Sequence, residues 1–177
     1  DNCPDYSQNI EKAKNLLQEA GYPNGFKTDI VVSGPDYHSL GAQIVQQQLL
    51  RIGINAKIKQ VENGYETLKK LPAGMHYYSF SLNLNPGYWF EWFTCDQVGK
   101  WNFTGWCNEE YDGLLGEAAT TLDREEREKK FVQMQKIMHE EAPLVFVTNG
   151  ANVHVTKPEI KPSYIAQYSQ YEYYEKK

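Results

Sequence analysis

All four tryptophans of this 177-residue chain, and two of its three cysteines, fall between Tyr88 and Cys107. Flat aromatic faces at that density can stack on a ligand or fill a core. Cys95 and Cys107 lie twelve apart and bracket one loop, Phe93–Cys107, while Cys3 stands alone near the start. Zinc asks for about four ligands in short knuckles. His38, His76, His139 and His154 are scattered and supply none, so no metal is expected. A disulfide is the favoured reading, with two free thiols the alternative. The disulfide would imply an oxidising compartment, and closing about a dozen residues is worth roughly 3 kcal/mol. Glu91 is the one acid of the run Tyr88-Trp89-Phe90-Glu91-Trp92. It could meet a cationic ligand group, or serve as a solvated or capping residue.

Catalytic chemistry finds little footing. The acids from Glu109 to Glu141 could form carboxylate pairs for proton transfer, but they sit in helical stretches where a solvated face is the default. No Gly-x-Ser-x-Gly elbow, phosphate loop or His-Glu-x-x-His occurs. The chain therefore reads as a binding protein rather than an enzyme, with no cofactor.

The elements that must position these side chains follow from periodicity. Residues 8–20 read as a helix with Ser7 as cap and Ile10, Ala13, Leu16, Leu17 and Ala20 on one stripe. Gly21 suits the left-handed position beyond it. Phe26–Ser33 reads as a strand buried on both faces. A second helix is expected over Ser39–Arg51, with Leu40, Ile44, Val45 and Leu49 as its apolar stripe. Ile54–Val61 alternates as a half-buried or edge strand, which completes a βαβ unit. A short helix at 64–71 and a third strand at Tyr77–Leu84 follow. Ligands of open α/β sheets sit beyond the carboxyl ends of strands, which points to Leu82–Trp92. Two tandem helices come next, capped by Asn108 and Asp123. Tyr111, Leu114, Leu115, Ala118 and Leu122 are read as the buried side of one helix, Phe131, Met134, Ile137 and Met138 as that of the other. Pro143 ends the second. Leu144–Thr148 and Asn152–Thr156 could pair as strands about Asn149-Gly150. The rest is a Tyr- and Gln-rich tail with little periodicity.

The formal net charge of −5 gives no footprint for nucleic acid or anionic membrane. No apolar run approaches the roughly 18 residues of a membrane span. The first residues, Asp1-Asn2-Cys3-Pro4-Asp5, do not read as a signal peptide, so the chain is expected to be cytosolic or a mature or excised piece of an exported protein.

Four segments carry a resemblance. Glu11-Lys12-Ala13-Lys14-Asn15-Leu16-Leu17-Gln18-Glu19-Ala20-Gly21-Tyr22-Pro23-Asn24-Gly25-Phe26 resembles a signature of the peptide/nickel class of ABC-transporter solute-binding proteins. In the same order, Gln46–Ile54, Asn102–Asp112 and Asp123–Pro143 resemble that family's helix into its second strand, its loop into the tandem helices, and the second of those helices. The paired cysteines look closest to dipeptide-binding members, whose equivalent loop carries a disulfide. The resemblance implies a bilobal protein about three times this length that closes over a ligand and delivers it to a membrane permease.

On that resemblance, residues 1–156 are the carboxyl-terminal α/β lobe, with a central mixed sheet and flanking helices. Residues 157–177 would return to a missing amino-terminal lobe. The expected location is periplasmic or extracellular, membrane-associated if a lipoprotein. Expected partners are an oligopeptide or other solute, that missing lobe and the permease of an ABC transporter, with no nucleic acid. Dipeptide-binding members place an aspartate at the end of the third strand, whereas Tyr78–Pro86 holds no acid here. A buried ammonium without a carboxylate is costly, so a neutral, anionic or sugar-like ligand fits equally. The candidate ligand-binding residues are Tyr78, Phe80, Leu82, Asn83, Asn85, Tyr88, Trp89 and Glu91. In a bacterial family the glycosylation-like Asn102-Phe103-Thr104 is coincidence. The runner-up reading is a self-standing, aromatic-rich carbohydrate-binding or interaction domain.

Overall fold

The computed structural model describes residues 7–62, 74–79, 86–148 and 157, and the short strands 160–161, 164–165, 168–169 and 175–176. The expected helix at 64–71, most of the third strand beyond Ser79, and the strand Asn152–Thr156 lie outside the described residues. The chain divides into two compact units, Asp1–Ser79 and Phe80–Lys177.

The first unit is a βαβ arrangement with a leading helix. Helix α1 spans Ile10–Glu19, and its cap is Asn9 rather than Ser7: the Asn9 side chain accepts from the Lys12 amide at 2.8 Å. Ile10, Ala13 and Leu17 are half-buried, while Leu16 is 54 % exposed, so the true stripe is narrower than expected. The helix closes with Tyr22 N donating to Leu17 O and Gly21 N to Gln18 O, with Gly21 at φ +85°. That is the two-bond termination a left-handed glycine permits.

Strand β1 (Lys27–Val32) is central, with β2 (Asn55–Gln60) on one side and β3 (Met75–Tyr77) on the other, both parallel to it. Ile30, Val31 and Val32 are all buried, as a continuous apolar run suggests. β2 is the expected edge strand, with Ala56 buried and Ile58 half-buried on its inner face. All described strands of this sheet are parallel, so a mixed sheet finds no support among the described residues.

Helix α2 (Asp36–Leu50) starts three residues earlier than expected and turns only Val45 and Leu49 of its expected stripe inward. His38 and Ala42 are buried and Val45 and Leu49 pack on the sheet, whereas Leu40 and Ile44 are 61 % and 59 % exposed. The reason lies in fit. A Cβ on Gly41 would fall 2.2 Å from the Tyr77 hydroxyl, so the helix needs its small residues where it meets β3. The Gln46 amide donates to Ala56 O at 2.7 Å and ties the helix to β2.

The second unit is helical. Helix α3 (Pro86–Glu91) leads into a 3-10 turn at Cys95–Gln97, then α4 (Glu109–Thr120) and α5 (Arg124–Glu141) form an antiparallel-type hairpin. Asn108 and Asp123 cap α4 and α5 as expected, accepting from Tyr111 N at 2.9 Å and Glu126 N at 2.9 Å. Phe90, Phe93, Tyr111, Met134 and Met138 form the core, with Leu114, Leu115, Phe131 and Ile137 packed against it. Leu122 is 96 % exposed, contrary to expectation, because α4 has already ended at Thr120. α5 ends at Ala142, a left-handed alanine at φ 49°, just before Pro143. Residues 144–148, expected as a strand, form no ladder among the described residues. The tail does carry strands. β4 (Ile160–Lys161) pairs antiparallel with β7 (Glu175–Lys176), and β5 (Tyr164–Ile165) with β6 (Tyr168–Ser169), one pair nested in sequence within the other.

Candidate ligand-facing site

The aromatic run is sorted by helix geometry into two faces. Phe90 and Phe93 point into the core, Phe90 lying flat on Phe131 with centroids 5.2 Å apart. Three and four residues apart on one helical surface are neighbours, so Tyr88 and Trp89 both meet Trp92, at 5.8 and 5.2 Å. Trp101, from the cysteine loop, stacks on Trp92 at 5.1 Å. The result is a ladder of four rings gathered about Trp92, which follows α3 and itself packs against the core. Tyr88 and Trp101 stay 46 % and 45 % exposed, and Trp89 and Trp92 are half-buried.

A covalent and hydrogen-bonded loop holds Trp101 there. Cys95 and Cys107 form the expected disulfide, with Cα atoms 4.5 Å apart. Inside it, Asn102 is 1 % exposed and its amide is fully used. Nδ2 donates to Trp106 O at 2.8 Å and Thr94 O at 3.3 Å, while Oδ1 accepts from the Thr104 amide and hydroxyl. A buried amide spent this way is no acceptor for a glycan. The Asp112 carboxylate accepts from Cys95 N at 3.1 Å, anchoring the 3-10 turn to α4. The Tyr111 hydroxyl donates to Phe90 O at 2.8 Å, and burial holds its titration well above the ordinary phenol range, with Asp112 adding to the effect. Trp106 leaves the ladder: its ring meets Tyr111 edge-on at 5.0 Å, and its indole N–H donates to Glu141. The Thr94 hydroxyl holds the Asp96 carboxyl below its ordinary range, with lesser help from Gln97 and Lys100 against desolvation.

The candidates fall out as follows. Tyr88 and Trp89 are brought together in the ladder. Glu91 ends α3 with its side chain exposed, away from the core. Tyr78 follows β3 in the first unit, half-buried, its hydroxyl titrating above the ordinary range because of burial. Phe80, Leu82, Asn83 and Asn85 lie outside the described residues. Trp92 and Trp101 join the set now. Both stood among the four tryptophans read as able to stack on a ligand; local helix geometry brings the first to Tyr88, and closure of the cysteine loop delivers the second. Among the described residues no cluster of His, Cys, Asp or Glu could hold a metal, and no helix is long and apolar enough to cross a membrane.

A family model described as bacterial extracellular solute-binding proteins, family 5 Middle, matches residues 1–100. The chain belongs to this family. Heme-binding protein A of Haemophilus influenzae is 31 % identical over 173 residues, 91 % of this chain and 31 % of that protein. The dipeptide-binding protein of Escherichia coli K12 is 29 % identical over 174 residues, 91 % of this chain and 32 % of that one. Among solved structures, HbpA2 from Haemophilus parasuis superposes with a TM-score of 0.72 at 30 % identity, covering 80 % of this chain and 30 % of that one. The dipeptide binding protein from Pseudoalteromonas sp. SM9913, in complex with Met-Leu, shares the fold with a TM-score of 0.79 at 23 % identity, over 94 % of this chain and 35 % of that one. This member of family 5 thus spans about a third of the length of the curated relatives it matches. Those relatives are named as binding proteins, none as an enzyme.

Proposed function

We propose that this chain supplies one lobe of an extracytoplasmic solute-binding protein that captures a small solute without covalent chemistry and delivers it to an ABC importer. Membership of family 5 over residues 1–100 is the observation that carries this reading, and it favours the reading over a self-standing carbohydrate-binding or interaction domain. Residues 1–156 would form the lobe and 157–177 return to the other. Ligand binding would select the closed arrangement of the two lobes, and the difference in affinity between open and closed states sets how far the population shifts. The ring ladder around Trp92 and the exposed Glu91 are the parts of the described surface proposed to face the solute, together with Tyr78, Phe80, Leu82, Asn83 and Asn85. With no acid in Tyr78–Pro86, ring stacking and hydrogen bonding outweigh recognition of a free ammonium group.

A thermal-shift titration of the full-length gene product tests this. Haem, dipeptides such as Met-Leu, glutathione and a nickel–histidine chelate form the panel. One of them is expected to raise Tm with concentration as linkage requires. Trp101→Ala should weaken that ligand about tenfold or more, in line with a lost stacking partner worth roughly 1–3 kcal/mol. Val98→Ala on the same loop should leave it unchanged. No shift from any of these, nor from oligopeptides and sugars screened beside them at saturation, would sink the transport reading; a shift indifferent to Trp101→Ala would move the ligand off the ladder.

A further inference from the structure

We infer that Tyr111 and Asp112, neighbours near the start of α4, are positioning residues for the ring ladder, because between them they hold both ends of the short segment that carries Glu91 and Trp92. This rests on the reading that the ladder faces the solute. The Tyr111 hydroxyl donates to Phe90 O at 2.8 Å, in the last turn of α3. The Asp112 carboxylate accepts from Cys95 N, at 3.1 and 3.3 Å to its two oxygens. Only residues 91–94 lie between those anchors. Among them is Trp92, the ring on which Tyr88, Trp89 and Trp101 converge.

The segment's own amides close tight turns: Trp92 N donates to Trp89 O, Phe93 N to Phe90 O and Thr94 N to Glu91 O, at 3.2–3.3 Å. Bonds of this i to i+3 kind have poorer geometry than those of an α-helix, so outside anchors decide how the rings are presented. Both anchors come from one capped helix, and Trp92 inherits its orientation. The two bonds differ in kind. Tyr111 is fully buried, its ring edge-on to Phe90 at 6.1 Å and to Trp106 at 5.0 Å, so its hydroxyl is aimed by packing. Phe90 O keeps Phe93 N as a second donor, and loss of the hydroxyl strands no buried acceptor. The Asp112 bond is charge-assisted. It seats a residue joined covalently to Cys107, and so also the start of the loop that brings Trp101 back to Trp92. A stacking platform binds well only when its supports hold it in place beforehand. If the two residues served the core alone, deleting either bond would lower stability and leave the ring geometry as it was.

The test uses the full-length protein, first without ligand, and reads the Trp92–Trp101 stack by near-ultraviolet circular dichroism. Tyr111→Phe and Asp112→Ala should each collapse that signal with helix content unchanged. Asp112→Asn keeps an oxygen for Cys95 N and should restore it. Wild-type signals in all three variants would overturn the inference. So would an Asp112→Asn spectrum like that of Asp112→Ala, which would assign the effect to charge near the start of α4. Tyr111→Phe leaves no buried group unpaired, and decides the matter if Asp112→Ala does not fold. Haem and Met-Leu are then titrated by tryptophan fluorescence. A probe that the wild type binds should bind Asp112→Ala about tenfold more weakly, the worth of one charged hydrogen bond. Unchanged affinity beside a collapsed ring signal would overturn the link to the solute. A wild-type protein that binds nothing would fail the solute reading, while the ring signals still pass or fail the positioning.

Discussion

Gly25 and Gly53 meet backbone to backbone: a Cβ built on Gly25 would fall 2.1 Å from the Gly53 carbonyl oxygen. Both have positive φ, +70° and +89°. The turn that delivers the chain into β1 is thus seated directly on the turn that ends α2, and two side-chain-free residues let them touch.

Gly25→Ala is expected to cost roughly 2–4 kcal/mol, because backbone strain and overlap act together. Gly21→Ala is the control. It has φ +85° but nothing within 4 Å of its added methyl, so strain alone should cost about 1 kcal/mol. Urea denaturation of the two variants checks the difference; equal losses would mean the contact relaxes freely.

The cysteine loop is held twice, by the disulfide and by Asn102. Asn102→Asp removes the donor from two carbonyls, Thr94 O and Trp106 O, and should cost about 2–4 kcal/mol. Replacing Cys95 and Cys107 together by Ser should cost about 3 kcal/mol through the unfolded chain, yet leave the native loop in place. Near-ultraviolet circular dichroism separates them. The signal of the Trp92–Trp101 stack should survive the double Ser replacement and collapse in Asn102→Asp.

His76 on β3 supplies a pH dependence. Burial lowers its titration in the folded protein below the ordinary value of 6.5. The unfolded chain then binds more protons in that range, so stability rises with pH. This contribution is present above pH 6.5 and is lost as pH falls through the folded value. His76→Gln should flatten the Tm-against-pH curve between the folded value and pH 6.5. An unchanged slope would assign it to other groups.

Ala142 holds a left-handed conformation at φ 49° that a Cβ disfavours. Ala142→Gly should therefore raise stability by about 0.5–1 kcal/mol, with helix content by far-ultraviolet circular dichroism unchanged. A loss instead would show that the added freedom of the unfolded chain outweighs the relief.

What the sequence made legible was local. Asn108, Asp123, Gly21 and Gly53 announce helix ends because one residue's chemistry suffices there. The inner face of α2 was misread because apolar periodicity favours Leu40 and Ile44, while the sheet selects for shape. Gly41 and Ala42 are inside because the Tyr77 hydroxyl needs the room, and His38 because its Nδ1 lies 2.6 Å from Ser33 O. Trp101 and Trp92 were both placed among possible stacking residues, yet their pairing could not be inferred: eight residues lie between them, and only the folded cysteine loop brings them face to face. The strand sought at Leu144–Thr148 was right in composition, but a strand needs a neighbour, and none lies among the described residues.

The two oxygens of Glu141 accept separately, one from the Trp106 indole and one from the Asn108 amide. The last turn of α5 is thereby knotted to the residues flanking Cys107, and the whole helical hairpin becomes a closed circuit in which start and finish share one carboxylate. Rotation of either helix must be felt at that knot, one residue from the disulfide that closes the loop carrying Trp101.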